Sequence, residues 1–259
     1  MDSLIQTYLN FGVLSFILVF VRVGAAFTIM PGIGDSFTPA TIRLYIALGL
    51  SFILAPIVYK YLPPDIHVGP QFLIMVIMEF IVGLFIGTLA RIMMAALDTA
   101  GMAISVMSGL GNAQLFNPAA ATQGSLVGAI LSVAGVLLVF VTDLHHLLIM
   151  GVINSYELFK IGTVPDTHDM AETITTFITR SFAIGIEIAT PFMVIGMIIY
   201  IGMGVLARLM PQIQVFMLAL PLQIMLAFVT LSIVISGSFL YWLNNFEDNM
   251  VTFLQAAGG

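Results

Sequence analysis

Cysteine is absent from this chain and charge is scarce. The first absence removes disulfides, thiolate metal sites and thiol nucleophiles. The second decides the solvent. Asp, Glu, Lys and Arg make up only 8% of the 259 residues, where a soluble domain carries roughly 25%. Seven of them are cations and the formal net charge is −6. A nucleic-acid partner is therefore excluded, because phosphate binding needs clustered Lys and Arg. Also missing are an H-E-x-x-H helix, a G-x-S-x-G elbow and a P-loop. No short repeat and no low-complexity tract is present. Nothing pairs a nucleophile with a base, so neither an enzyme nor a bound cofactor or metal is expected.

What is there is apolar, 60% of the residues. Runs long enough for a span of about 20 residues cover roughly 4–30, 41–62, 71–107, 124–142, 181–206 and 213–242. The breaks between them carry Gly, Pro, Asn and Asp: "PGIGDSFTP", "YLPPDIHVGP", "SGLGNAQLFNPAAATQG" and "KIGTVPDTHD". The expected fold is all-α, an integral membrane or membrane-complex protein with about six long apolar helices. The first run follows an acidic start and exceeds a signal peptide's core, so it reads as a retained membrane helix. "DLHHLLIMGVINSYELF" (143–159) reads as a shorter, partly interfacial helix capped by Thr142 or Asp143. "EDNMVTFLQAAGG" reads as a short amphipathic tail. Arg43, Lys60, Lys160, Arg180 and Arg208 are spread over successive loops and helix ends, so the positive-inside rule gives no clear orientation.

Five charges lie inside apolar runs: Arg22, Glu79, Arg91, Asp98 and Glu187. Each costs about 2.5–3.5 kcal/mol at a bilayer centre. Arg91 and Asp98 share a helix face but lie about 10 Å apart, so partners must come from other helices, other subunits or water. Structural ion pairs, the lining of an aqueous path and a proton relay all remain open readings. Gly83 with Gly87 and Gly124 with Gly128 have the small-xxx-small spacing of closely packed helices. Asp143, His145 and His146 are the nearest thing to a metal cluster. Adjacent histidines on a helix point about 100° apart, so a shared ion is not expected. The 17 methionines read as packing.

Two loops are chemically distinctive. The first, 108–124, is uncharged. Gly109 and Gly111 permit positive φ, Asn117-Pro118 fixes a turn, and Leu115 and Phe116 form an apolar tip. Irregular backbone at membrane depth survives only when buried in protein or lining a cavity; a plain surface connector is the alternative. The second is "GVLARLMPQIQVFMLALPLQ" (204–223). Pro211 breaks the helix and restricts Met210, while Arg208, Gln212, Gln214 and Phe216 surround the break. Gln212 and Gln214 offer amides that hydrogen-bond without ionising. A constriction and a simple tight turn both fit.

"ARLMPQIQVFMLALPLQI" (207–224) resembles the R-x-x-P-Q-x-x-V/I-F signature of the FliR family, the flagellar type III export-gate membrane proteins. "RVGAAFTIMPGIGDSFTPATIRLYIALGLS" (22–51) is similar to that family's first hairpin. "GMAISVMSGLGNAQLFNPAAATQGS" (101–125) resembles its central Gly-rich segment, followed in order by "LHHLLIMGVINSYELFKIG". The likeness covers most of the chain but not 160–180. It implies a helical export gate formed with FliP and FliQ subunits in the bacterial inner membrane at the flagellar basal body, with FlhB and FlhA nearby. It implies unfolded export substrates as cargo and contact with membrane lipid. A single export-gate domain is implied over 1–259, FliP-like over 1–160 and FliQ-like over 161–259. By the same likeness, 108–124 is a pore plug, 208–216 part of a constricting loop, and the five charges buried inter-helix or inter-subunit pairs. An injectisome homologue is the alternative within the family; a secondary transporter or ion channel working alone is the rival outside it.

Overall fold

The computed structural model describes residues 2–61, 69–111, 125–210, 212 and 215–258. Their regular elements are all helical: α1 (Asp2–Ile29), α2 (Ala40–Val58), a 3-10 turn (Tyr59–Tyr61), α3 (Pro70–Met107), α4 (Leu126–Val141), α5 (Leu144–Leu158), α6 (Thr167–Leu209) and α7 (Val215–Gly258). Five of these helices are long and apolar enough to cross a membrane, and α4 with α5, taken as one broken span, makes a sixth.

The helix ends follow local chemistry. Pro70 opens α3, where its missing N–H costs nothing. The Asp166 carboxylate accepts the His168 N–H at 2.8 Å and caps α6. Asp169 in its first turn and Arg208 in its last both favour the helix dipole. Two helices outrun the expected spans. α6 begins at Thr167 rather than near 181, and α7 runs on to Gly258, absorbing the expected separate tail. Polar residues dilute a hydropathy window, yet an exposed helix face accepts them readily.

Asp143 takes the N-cap position of α5, with φ 60°, but its side chain makes no capping bond. That corrects the expectation of an Asp143 cap. His145 and His146 lie nearer each other than their 100° step suggests. Their rings lie 4.1 Å apart, and donor atoms of Asp143, His145 and His146 fall within 4.8 Å of one another.

Two compact units interleave along the chain. One comprises Met1–Ile92, Val139–Phe177 and Glu247–Gly259. Here α1 and the first part of α3 run parallel, since Arg22 meets Glu79 and Asp35 meets Arg91. Gly83 and Gly87 make the approach possible: a Cβ on Gly87 would sit 2.6 Å from the Ala26 carbonyl oxygen, and one on Gly83 would overlap that of Arg22. Leu18, Val19, Val23, Phe27 and Tyr156 are fully buried. Phe85 meets Phe159 and Phe253 edge-on at 5.8 and 6.2 Å.

The other unit comprises Met93–Leu138 and Ile178–Phe246. The second part of α3 is its axis. α4 lies antiparallel to it, with Gly128 against Gly101 and Gly135 against Leu97. α6 lies parallel, with Gly185 against Thr99 and Gly196 against Met107. α7 returns antiparallel, and the Trp242 indole N–H donates to the Met93 carbonyl at 3.1 Å. Trp242 and Phe246 are fully buried, so this one helix face anchors the unit.

Candidate gate loops and the buried charge pair

α3 ends at Met107, and the residues after it are pinned before the chain enters 112–124. The Ser108 hydroxyl donates to the Ser105 carbonyl at 3.2 Å. The Gly111 N–H reaches back to the same carbonyl at 2.9 Å. Gly109 has φ 75°, a left-handed conformation that glycine adopts without Cβ strain. On the far side, Ser125 caps α4 by accepting the Gly128 N–H at 3.1 Å. Its hydroxyl also donates to the Gly101 carbonyl at 2.9 Å. Both ends of the loop are thereby tied to the last turns of α3. Leu115, Phe116, Asn117 and Pro118 lie outside the described residues.

The second loop is reached from two helices. Arg208 is exposed in the last turn of α6, and Gln212 is exposed in the turn. Pro211, Gln214 and the side chain of Phe216 lie outside the described residues. The informative residue is one the sequence reading quoted without assigning a role. Gln223 is 4% exposed, and its amide donates to the Met107 carbonyl at 2.8 Å. That carbonyl is among the last four of a helix, which have no partner of their own.

This bond fixes a distance. From Gln223 back to Val215, α7 rises roughly 12 Å; from Gly196, which also faces Met107, to Leu209, α6 rises roughly 20 Å. The α6–α7 hairpin therefore extends some 12–20 Å past the end of α3, where the 108–124 loop begins. A lone amide inside an apolar helix, two positions after Pro221, was the available sequence signal for Gln223.

The charges separate into two kinds. Arg22 and Glu79 are buried at 0% and 2% exposure. The Arg22 Nε and Nη2 donate to the two Glu79 oxygens at 2.6 and 2.9 Å, a bidentate pair. Nη1 donates to the Ser155 hydroxyl at 3.1 Å and Nη2 to the Phe159 carbonyl at 2.8 Å. The guanidinium lies 3.9 Å above the Tyr156 ring. Arg22 thus joins α1, α3 and α5 in one knot. Ser155, Tyr156 and Phe159 were not singled out in the sequence, because only the fold brings them to Arg22.

Arg91, Asp98 and Glu187, expected to be buried like the other two, are exposed on the chain taken by itself, because they stand on outward helix faces. Each nevertheless has a partner on another element. Arg91 pairs with Asp35 at 2.5 Å, Asp98 accepts from Ser132, and Glu187 accepts from Tyr241.

Residues 13–249 match the family described as bacterial export proteins, family 1. The flagellar biosynthetic protein FliR of Caulobacter vibrioides is 36% identical over 231 residues, 89% of this chain and 92% of that one. FliR of Bacillus subtilis is 29% identical, covering 92% of each chain. The Yop proteins translocation protein T of Yersinia pestis is 26% identical over 81% of each. A match across nearly the whole chain, on a scaffold of long apolar helices, leaves one conclusion: this chain belongs to the FliR family of bacterial export proteins.

Proposed function

We propose that the chain is a structural and gating subunit of the flagellar type III export channel, passing unfolded flagellar subunits across the inner membrane at the basal body. Its partners on this reading are FliP and FliQ in one hetero-oligomeric gate, with FlhB and FlhA alongside. Residues 1–160 correspond to a FliP-like part and 161–259 to a FliQ-like part. The 108–124 loop is the plug, and 208–216 belongs to the constriction. The observation that carries the reading is the bond from Gln223 to Met107, because it sets both loops at the same end of these helices, with 208–216 roughly 12–20 Å beyond the start of 108–124.

The surface supports an assembled state. α7 carries no charge from Val215 to Phe246, roughly 48 Å of helix, against a hydrocarbon layer of about 30 Å. Along it Leu222, Met225, Phe228, Val229 and Ile233 are all exposed on the single chain. Apolar surface beyond the reach of lipid needs protein to cover it. Arg91, Asp98 and Glu187, exposed here, become inter-subunit charges in the same assembly.

Deleting part of 109–119 tests the plug. Membranes containing the assembled gate should then leak ions and small solutes; membranes as tight as wild type would refute the assignment. Replacing Pro211 or Gln212 should lower secretion of flagellar subunits. The Yersinia relative favours injectisome export as a second reading. Restored motility in a bacterium lacking its own FliR would decide for the flagellar role.

A further inference from the structure

The corner between α4 and α5 gathers three metal-ligating side chains that the gate does not use. The two helices meet there at 78°. Asp143 stands at the corner with φ 60°, and its carboxylate makes no capping bond to the α5 amides. His145 and His146 follow in the first turn of α5. One donor atom from each of the three lies within 4.8 Å of the other two. The 100° step along a helix fixes only where each Cβ points. Side-chain torsions close the rest, and the two imidazole rings stand 4.1 Å apart. His145 also stacks on Phe140 at 5.1 Å, which holds its ring in place.

Nothing within the protein satisfies these groups. The His146 Nδ1 and an Asp143 oxygen are 3.7 Å apart, too far for a hydrogen bond. The His145 Nδ1 is closed to solvent and has no hydrogen-bond partner. A sealed nitrogen of that kind has given up its water with nothing in exchange. No Lys or Arg occurs from Ser125 to Phe159, so the Asp143 charge has no cation in its own stretch of chain.

Spacing and donor type select the ligand. Zinc holds nitrogen and oxygen at about 2.0–2.2 Å, so two ligands at the tetrahedral angle stand roughly 3.4 Å apart. The Asp143–His146 pair is already near that separation. The widest spacing must close by at most roughly 1.4 Å. The His146 and Asp143 side chains are 69% and 77% exposed, so a change of rotamer supplies it. The same exposure gives an ion its path from solution and leaves a fourth position for water. Two imidazoles with one carboxylate suit zinc and its first-row neighbours, whereas Mg²⁺ and Ca²⁺ prefer oxygen alone. We infer that Asp143, His145 and His146 form a site for a divalent transition-metal ion at the α4–α5 corner. The inference rests on these three residues and does not depend on the export reading.

The full chain, purified in detergent without a histidine tag and stripped with EDTA, tests this by calorimetric titration with Zn²⁺. Wild type should bind one ion per chain in the micromolar range or tighter, and Mg²⁺ at the same concentrations should give no binding. His145→Ala, His146→Ala and Asp143→Asn should each weaken Zn²⁺ binding at least about tenfold, the factor set by 1.4 kcal/mol. His168→Ala is the control, an exposed histidine outside the cluster. It should bind as wild type does. Zn²⁺ should raise the unfolding temperature of wild type and His168→Ala and leave that of His146→Ala unmoved. Asp143 and His146 are exposed, so without metal their variants should unfold as wild type does, which separates a lost ligand from a lost fold. A wild type that binds no Zn²⁺, or Mg²⁺ bound as tightly, would overturn the assignment. So would undiminished binding in His146→Ala and Asp143→Asn, which would mark an adventitious ion only.

Discussion

The Gln223 amide and the Met107 carbonyl meet at 2.8 Å, joining the second helix of the α6–α7 hairpin to the last residue of α3. Gln223→Leu removes the donor and keeps most of the volume. A part-buried carbonyl loses its partner, which costs up to about 1–3 kcal/mol. The purified protein should unfold at a lower temperature. If the two loops form one closure, membranes should also leak without any change in the loops themselves.

Arg22 and Glu79 respond differently to single and double replacement. Glu79→Ala leaves a guanidinium buried without a counter-charge, a loss of about 3–5 kcal/mol. Little folded protein should be recovered. Replacing both together, Arg22→Met with Glu79→Leu, should restore most of the stability, because paired burial is itself costly. Thermal unfolding of the two variants beside wild type checks this. Equal damage from the single and double changes would show that the Arg22 contacts with Ser155, Tyr156 and Phe159 matter as much as its pair with Glu79.

Glycines sort by what surrounds them. Gly101→Ala pushes a methyl group into the Gly128 backbone, so α3 and α4 must separate. Gly237→Ala meets nothing within 4 Å and should stabilise α7 by up to about 1 kcal/mol. Helicity and unfolding temperature should fall for the first and hold or rise for the second.

At the base of the first loop, Gly109 and Gly111 should not behave alike. Gly109 has φ 75°, so Gly109→Ala costs about 1–2 kcal/mol from backbone strain. Gly111 has no positive φ, and a Cβ there makes its nearest contact at 3.4 Å, with the Ser105 carbonyl oxygen. Gly111→Ala should therefore be the milder change in an unfolding scan.

The apolar runs were legible because a bilayer demands length and oil, both of which a sequence displays directly. That some helix packs closely on Gly83 and Gly87 was legible from their spacing, but not that the helix is α1. The partner of Arg22 was not. Helical spacing can exclude a partner on the same helix, but naming Glu79 requires knowing that α1 and α3 run parallel. The ends of α6 and α7 were missed for another reason: Thr167–Arg180 and Asn244–Gly258 are helical but polar, so they look like loops to a hydropathy reading. The approach of the His145 and His146 rings was not legible either, because the 100° step fixes where each Cβ points and leaves the side-chain torsions free.

The uncharged length of α7 also bears on how the cell must handle this polypeptide. A copy synthesised ahead of its companions would hold roughly 18 Å of greasy rod outside the hydrocarbon layer. Such a surface invites aggregation or quality-control proteolysis. Surplus molecules should therefore be short-lived, and their abundance should track that of whatever protein ensheathes them.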